Sequence, residues 1–209
     1  MQQGPNLRAQ IDEIEEQLME QRQHVARLRA QLPWEEVADY ELRDLNGSTR
    51  LRAAFGGRDE LLVVHNMGSD CSYCTLWSDG FNGIVPHLES RAAFVVVSPD
   101  TPEKQDLFAK SRGWRFRMLS DADLAFTRAM GFMRAESGAE HPWPGVSAFC
   151  CTSRGQIMRT GSSPFGPGDL FCPAWHLFGL LGNGVGSWEP KDRYASSAHA
   201  CCSPRTVAL

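Results

Sequence analysis

The stretch Leu61-Leu62-Val63-Val64-His65-Asn66-Met67-Gly68-Ser69-Asp70-Cys71-Ser72-Tyr73-Cys74 decides the fold. Leu61 to His65 is a short apolar run of the type that forms a strand buried on both faces. A loop follows, and Cys71 and Cys74 open an amphipathic helix carried by Leu76, Trp77, Phe81, Ile84 and Leu88. Gly80, Gly83 and Pro86 weaken or kink that helix. A Cys-x-x-Cys between strand and helix, in a βαβ setting, reads as a dithiol redox motif. Two intervening residues in a first helical turn bring two sulfurs within bonding reach. The first sulfur sits where free N–H groups and the helix dipole favour a thiolate. Cys71 is therefore the expected nucleophile and Cys74 the expected resolving thiol. Ser72 and Tyr73 between them, and Trp77 one turn on, are the expected substrate contacts. His65 ends the strand six residues before Cys71. An imidazole there could take the Cys74 proton, or it is a hydrogen-bonded core histidine.

Downstream, Ala92-Ala93-Phe94-Val95-Val96-Val97 is a second buried strand. Thr101-Pro102 supplies an N-cap and a first-turn proline for a helix through Leu107 and Phe108 to about Arg112. Phe116 to Leu119 reads as a short strand. Ser120 and Asp123 have capping-box spacing before a helix from Leu124 to Met130, which Gly131 stops. Arg134 to Gly145 reads as a loop that could line the site with His141 and Trp143. Val146–Cys151 and Gln156–Arg159 read as a hairpin, and Asp169 to Leu181 as a last helix. From Gly182 the composition turns to Gly, Ser, Pro and Ala, which predicts a tail with little core.

Upstream, Tyr40 to Leu45 alternates apolar and polar before Asn46-Gly47, a hairpin turn signal of the type I′ class. Before it, Leu7, Ile11, Ile14, Leu18, Gln21, Val25, Leu28 and Leu32 step by four and three, a heptad seam that Pro33 ends. The seam either dimerises as a coiled coil or lies along its own domain. The division is then residues 1–33 for the heptad helix, 34–185 for an α/β domain with a mixed sheet, and 186–209 for a flexible tail.

Length and composition agree. A chain of 209 residues, 42% apolar and 22% charged with net charge −4, holds one domain with decoration. It is neither a disordered acidic chain nor a basic nucleic-acid binder. No membrane-length apolar run and no secretory signal is visible, so a cytoplasmic protein is expected. Seven cysteines in a reducing compartment point to catalysis or metal before structural disulfides. Cys150, Cys151 and Cys172 read as packing residues. His199-Ala200-Cys201-Cys202 reads as exposed tail thiols, with a thiophilic metal site or a relay thiol pair as the alternative.

From about Gln21 to Arg193 the sequence resembles a bacterial family of thioredoxin-like proteins catalogued as a domain of unknown function. The resembling stretches are Leu32-Pro33-Trp34, Leu61 to Met67, Cys71 to Asp79, Arg112-Gly113-Trp114-Arg115-Phe116 and Gly145-Val146-Ser147-Ala148-Phe149. The resemblance implies a thioredoxin-like fold: a mixed central sheet flanked by helices, with the N-terminal β-hairpin extension of the peroxiredoxin branch and a long N-terminal helix before it. The departures are specific. Thioredoxins carry Trp-Cys-Gly-Pro-Cys where this chain has Asp70-Cys71-Ser72-Tyr73-Cys74, and a buried Asp where it has His65. Their substrate-side cis-proline falls at Val146. The Pro and Thr/Ser of the peroxiredoxin motif fall at Val64 and Gly68, and the later peroxiredoxin Arg again at Val146.

The expected activity is dithiol–disulfide exchange on a protein or small-molecule disulfide. No cofactor, nucleic acid or membrane is expected, and a homodimer through the first helix is. Two other readings stand beside it. One is a metal-handling protein using Cys71, Cys74 and His65, with His199, Cys201 and Cys202 as an auxiliary set. The other is a non-catalytic interaction module.

Overall fold

A computed structural model of the chain describes residues 6–136 and 138–194. Its N-terminal half runs α1 (Leu7–Arg29), β1 (Glu35–Val37), β2 (Glu41–Asp44), β3 (Gly47–Arg50), α2 (Leu51–Ala54), β4 (Glu60–His65), α3 (Ser72–Arg91) and β5 (Ala93–Ser98). The rest is α4 (Pro102–Arg112), β6 (Arg117–Ser120), α5 (Ala125–Ala129), β7 (Met133–Glu136), β8 (Ala139–Pro142), β9 (Gly145–Cys151), β10 (Ile157–Pro164) and α6 (Pro173–Phe178). One sheet has the order β1-β10-β9-β4-β5-β6-β2-β3, and β7 and β8 form a separate pair. The β4–β5 and β5–β6 pairs are parallel, and β9 lies antiparallel to β4, so the sheet is mixed as expected.

The two apolar runs form the centre because both their faces are covered. On one face Val63, Val95, Val97 and Phe149 pack with Leu42, Leu51, Phe126 and Phe132. On the other Val64, Phe94 and Val96 pack with Trp77 and Phe81 of α3, with Trp114 and Phe116, and with Phe165 and Trp175. The crossover from β4 through α3 to β5 is thereby closed on an aromatic layer, including Phe81 against Phe94 at 5.9 Å and Trp77 against Phe165 at 5.3 Å.

Several local expectations are displaced. The first hairpin turns one residue early: Asp44 pairs with Gly47, so Leu45-Asn46 is the loop. Neither loop residue takes a positive φ; Gly47 does, at 110°, and begins the return strand. The helix after β6 is capped by Asp121, not Ser120. The buried Asp121 carboxylate accepts the N–H groups of Phe126 and Thr127 at 3.3 and 2.7 Å, while Ser120 stays in the strand. The stretch read as a loop from Arg134 carries the β7–β8 hairpin, with Met133 opposite Pro142 and Arg134 stacked on Trp143 at 3.6 Å. The last helix is only Pro173–Phe178, because Asp169 spends its carboxylate on the N–H groups of Phe171 and Cys172. β1 has no counterpart in the sequence reading; it pairs at the sheet edge with β10.

The chain also keeps a defined path past residue 186. Trp188 packs on Trp175 and Phe178 at 5.4 and 4.8 Å, Pro190 is buried, and the Asp192 carbonyl accepts Arg112 Nη1 at 2.7 Å. The chain thus packs on the domain through Asp192, past the boundary expected at 186. At the other terminus, α1 buries none of its residues and ends at Arg29, short of Pro33. Its link to the domain is Arg29 Nη2 to Ser163 Oγ at 3.4 Å. The alternative of a helix laid along its own domain is not what the chain does. No helix among the described residues is long and apolar enough to cross a membrane.

Candidate active site

The loop Asn66 to Asp70 carries the chain from the end of β4 to α3, and local chemistry fixes its shape. The Asn66 N–H donates to the Val97 carbonyl at 2.8 Å, extending the β4–β5 ladder by one bond. Its side chain accepts the Gly68 N–H at 2.7 Å and donates to the buried Ser78 hydroxyl at 3.2 Å. Gly68 sits at φ 109°, and a Cβ there would stand 3.2 Å from the Asp100 carboxylate, so both the conformation and the space call for glycine. Asp100 in turn accepts the Ser69 N–H at 2.6 Å and pairs with Lys104, which also reaches Asp70 at 3.0 Å.

Cys71 is the N-cap of α3. Its sulfur accepts the Cys74 N–H at 3.1 Å, and its carbonyl accepts both the N–H and the hydroxyl of Thr75, at 3.0 and 3.1 Å. Cys71 is half-buried; Cys74 is 2% exposed, with its sulfur accepting the Met67 N–H at 3.4 Å. A hydrogen bond from the Cys74 thiol, followed by N–H groups of Cys74 and Tyr73, draws the Cys71 pKa down to about 7 against the opposing effects of burial and the Asp192 charge. The same hydrogen bond to Cys71, burial and the nearby Cys71 charge push the Cys74 thiol far up. One thiol is thus poised to ionise near neutrality while the other holds its proton.

The surroundings divide the remaining expected residues. Ser72 and Tyr73 are half-buried beside the nucleophile, and Tyr73 stacks on Trp175 at 6.0 Å. Tyr73, Trp175, His176 and Trp188 line one cavity of about 520 Å³. Ser69, Asp70, Lys104, Asp192 and Arg193 line another, of about 620 Å³. Trp77 is a correction: at 3% exposure it is aromatic core between Tyr73 and Phe165, not a substrate contact. Val146 pairs with Val64 one step below the end of β4 and packs half-buried against the α3 side of the sheet.

His65 is a second correction. Its Nε2 is 3.0 Å from Ser147 Oγ, and its ring stacks on Phe132 at 4.1 Å and on Phe126 at 5.3 Å. These partners belong to the sheet face opposite Val64 and α3, and Nδ1 has no hydrogen-bond partner. Burial, with Arg159 adding its charge, pulls the His65 pKa down to about 3. A neutral imidazole that basic only below pH 3 is a poor acceptor for the Cys74 proton.

Asp100, Asp192 and Trp175 are site residues that the sequence reading missed. Asp100 had a signal, an acid just past the end of a buried strand. Trp175 sits in the expected last helix, where nothing in the sequence ties it to Tyr73, and Asp192 comes from a segment whose composition hides it.

Of the other cysteines, Cys172 is buried in the α3-side core, and Cys151 packs against the opposite one, with Arg52 Nη1 3.3 Å from its sulfur. Cys150 is half-buried on the other side of the strand. Cys201 and Cys202 lie outside the described residues. Among the described residues no group of three or more His, Cys, Asp or Glu side chains stands close enough to hold a metal ion.

Comparison with known proteins agrees with this architecture. Reduced Prx3 of Vibrio vulnificus superposes with a TM-score of 0.53 at 15% identity, covering 66% of this chain and 89% of that one. Peroxiredoxin Q of Xanthomonas campestris superposes with a TM-score of 0.51 at 26% identity, covering 65% and 87%. No curated protein matches the sequence. The fold is thioredoxin-like, α/β, with the peroxiredoxins among its structural neighbours. A family model described as bacterial protein of unknown function (DUF899) matches residues 6–196, so the chain belongs to that family.

Proposed function

We propose that the chain is a thioredoxin-like dithiol–disulfide oxidoreductase acting on protein or small-molecule disulfides. The observation that carries this reading is the half-buried Cys71 sulfur at the N-cap of α3, 3.1 Å from the Cys74 N–H and hydrogen-bonded by the Cys74 thiol. Likeness to Peroxiredoxin Q of Xanthomonas campestris supports thiol chemistry on this scaffold. The Val64 and Gly68 substitutions in the peroxiredoxin motif argue against a peroxidase of that type.

In the first step the Cys71 thiolate attacks one sulfur of a substrate disulfide. The second substrate sulfur leaves as a thiolate, and Cys71 is joined to the first in a mixed disulfide. That bond removes both the charge and the hydrogen-bond acceptor that hold the Cys74 proton, leaving only burial to oppose its loss. Cys74 then gives its proton to water or to the departing thiolate and attacks Cys71. The second substrate thiol leaves, and a Cys71–Cys74 disulfide remains. Two electrons have passed from the dithiol to the substrate. The order is built in, because Cys74 becomes a nucleophile only after Cys71 has reacted. Tyr73 and Ser72 border the approach, and the reducing cytoplasm is the setting that suits the dithiol form.

The test is substitution of each thiol. Cys74→Ser should accumulate a mixed disulfide at Cys71 with one substrate thiol released and no turnover, and Cys71→Ser should release none. A Cys71 that forms no covalent species in the native chain or in Cys74→Ser overturns the reading.

A further inference from the structure

On the sheet face opposite α3, the β7–β8 hairpin and β10 border a cavity of about 370 Å³. Met130, Phe132 and Met133 give it apolar walls, and Arg134, Trp143 and Arg159 bring polar groups to it. Arg159 leaves β10 where the strand breaks register with β9, between Arg159 and Gly161, an irregularity of the kind that re-aims a side chain. Its side chain is 12% exposed, and its guanidinium stands 5.7 Å from the centre of the Phe132 ring. Its ion-pair partner among the described residues is Glu35, which is 3.7 Å from Nη1, beyond hydrogen-bond reach, and 70% exposed. Arg159 Nε is buried and has no hydrogen-bond partner among the described residues. Burial accordingly lowers the Arg159 pKa, against the opposing charge of Glu35. Arg134 lies with its guanidinium 3.6 Å over the Trp143 ring and forms no salt bridge among the described residues, since Glu140 of the same hairpin is held by Arg128. Trp143 Nε1 is buried and also lacks a partner. Two guanidinium groups and an indole N–H thus border one hollow that holds no carboxylate. A charge so nearly buried calls for a counter-ion, and an exposed glutamate at 3.7 Å supplies little of one.

We propose that this cavity binds a small carboxylate with an apolar body, the carboxylate on Arg159 and Arg134 and the body against Phe132 and the two methionines. The walls choose among ligands. A guanidinium fork matches the two oxygens of a carboxylate. A bare inorganic anion would leave the apolar surface of Met130, Phe132 and Met133 unused, and a neutral apolar molecule would bury Arg159 further without a counter-ion. A few placed polar groups in an otherwise apolar hollow of this size is the usual make-up of a small-molecule site. Cys71 takes no part, because it opens α3, which packs on the other face of the sheet. The site is therefore additional to the dithiol reading and independent of it.

Binding is tested on the full chain by titration calorimetry, with phenylacetate and hexanoate as the probes. The expected result is saturable binding of at least one of them at a single site per chain, weakened about tenfold or more in Arg159→Gln and in Arg134→Gln. Arg134 is exposed on its hairpin, so its replacement keeps the test open even where Arg159→Gln unfolds the chain. The corresponding amide, phenylacetamide or hexanamide, keeps the body and loses the charge, and should bind about tenfold more weakly or less than its acid. Inorganic phosphate at equal concentration should not displace the acid, and Cys71→Ser should bind it as the native chain does. Absence of saturable binding of either acid at millimolar concentration overturns the proposal. So does an affinity unchanged in Arg134→Gln, an amide bound as tightly as its acid, or displacement by phosphate. Binding lost in Cys71→Ser would place the ligand at the dithiol and overturn it as well.

Discussion

The Cys74 N–H points at the Cys71 sulfur from 3.1 Å, and the Cys74 thiol bonds the same sulfur, so the resolving residue also sets the acidity of the nucleophile. Replacing the Cys74 side chain separates the two contributions. Cys74→Ala keeps the N–H and loses the thiol donor. The alkylation rate of the Cys71 peptide, followed by mass against pH, should have its midpoint near 7 in the native chain. In the variant it should move toward the ordinary thiol value of about 8.5. An unmoved midpoint would assign the acidity to the helix terminus alone.

Asp192 works against the thiolate, since its carboxylate raises the Cys71 pKa. Asp192→Asn should therefore lower the alkylation midpoint, and added salt should narrow the difference from the native chain. Arg112→Gln removes the donor to the Asp192 carbonyl and should shift the midpoint in the same direction as the segment loosens. A rise in either variant contradicts this arrangement.

What was legible in the sequence was what local pattern controls. β4 and β5 announce themselves as apolar runs, Thr101 caps α4 by accepting the Lys104 N–H at 3.3 Å, and the strand–loop–helix setting of Cys71 and Cys74 is read from adjacent residues. The β7–β8 hairpin was hidden because its strands are mostly exposed and show no apolar alternation. It is tied in by the Trp143 N–H on the Phe132 carbonyl at 2.8 Å and by Arg134 on Trp143. The path of residues 185–194 was hidden because three contacts, at Trp188, Pro190 and Asp192, hold a stretch whose composition is otherwise that of a linker. For His65, strand position was legible but facing was not. A period of two yields two faces without saying which one α3 covers.

His65 should make the protein acid-sensitive. Its folded pKa of about 3 lies below the ordinary 6.5, so the neutral form is the folded one. The stability it contributes is complete above pH 6.5 and is lost as pH falls from there toward 3, on the order of 5 kcal/mol across the whole range. Thermal midpoints between pH 7 and 4.5 should fall steeply in the native chain and less steeply in His65→Phe. At neutral pH the variant should be the less stable, because Ser147 Oγ loses its partner in a buried site. Parallel pH profiles would remove His65 as the cause.

Gly145 begins β9 opposite His65, and a Cβ there would run into the Phe132 ring and stand 2.7 Å from the Ser163 carbonyl. Gly145→Ala should cost about 1–3 kcal/mol in urea-unfolding midpoints. Phe132 stacks on His65, so the ring cannot yield without disturbing that stack. Adding Phe132→Leu should recover only part of the loss, because the carbonyl contact is backbone and stays. Full recovery would place the whole cost on the ring.

Helix α1 should pair with the α1 of a second copy. Leu7, Ile11, Ile14, Leu18, Val25 and Leu28 of its seam are 43–71% exposed, so α1 lacks the packing of an apolar face from which most protein helices draw their stability. The residues flanking the seam differ in what they meet in each direction of pairing. Arg8, Glu15, Arg22 and Arg29 line one side, and Gln10, Gln17, His24 and Gln31 the other. In a parallel pair each side faces the other, so Glu15 meets Gln10 and Arg22 meets Gln17, and Gln21 meets its own copy within the seam. An antiparallel pair would set Arg8 against Arg29 and Glu15 against Arg22. Sedimentation equilibrium of the full chain should give twice the 23.2 kDa protomer mass, and Leu18→Glu should return it to one. A cysteine placed by Gln21→Cys should cross-link two copies under mild oxidation. A full chain that sediments as a monomer, or an unchanged dimer in Leu18→Glu, would show that the seam is not the contact.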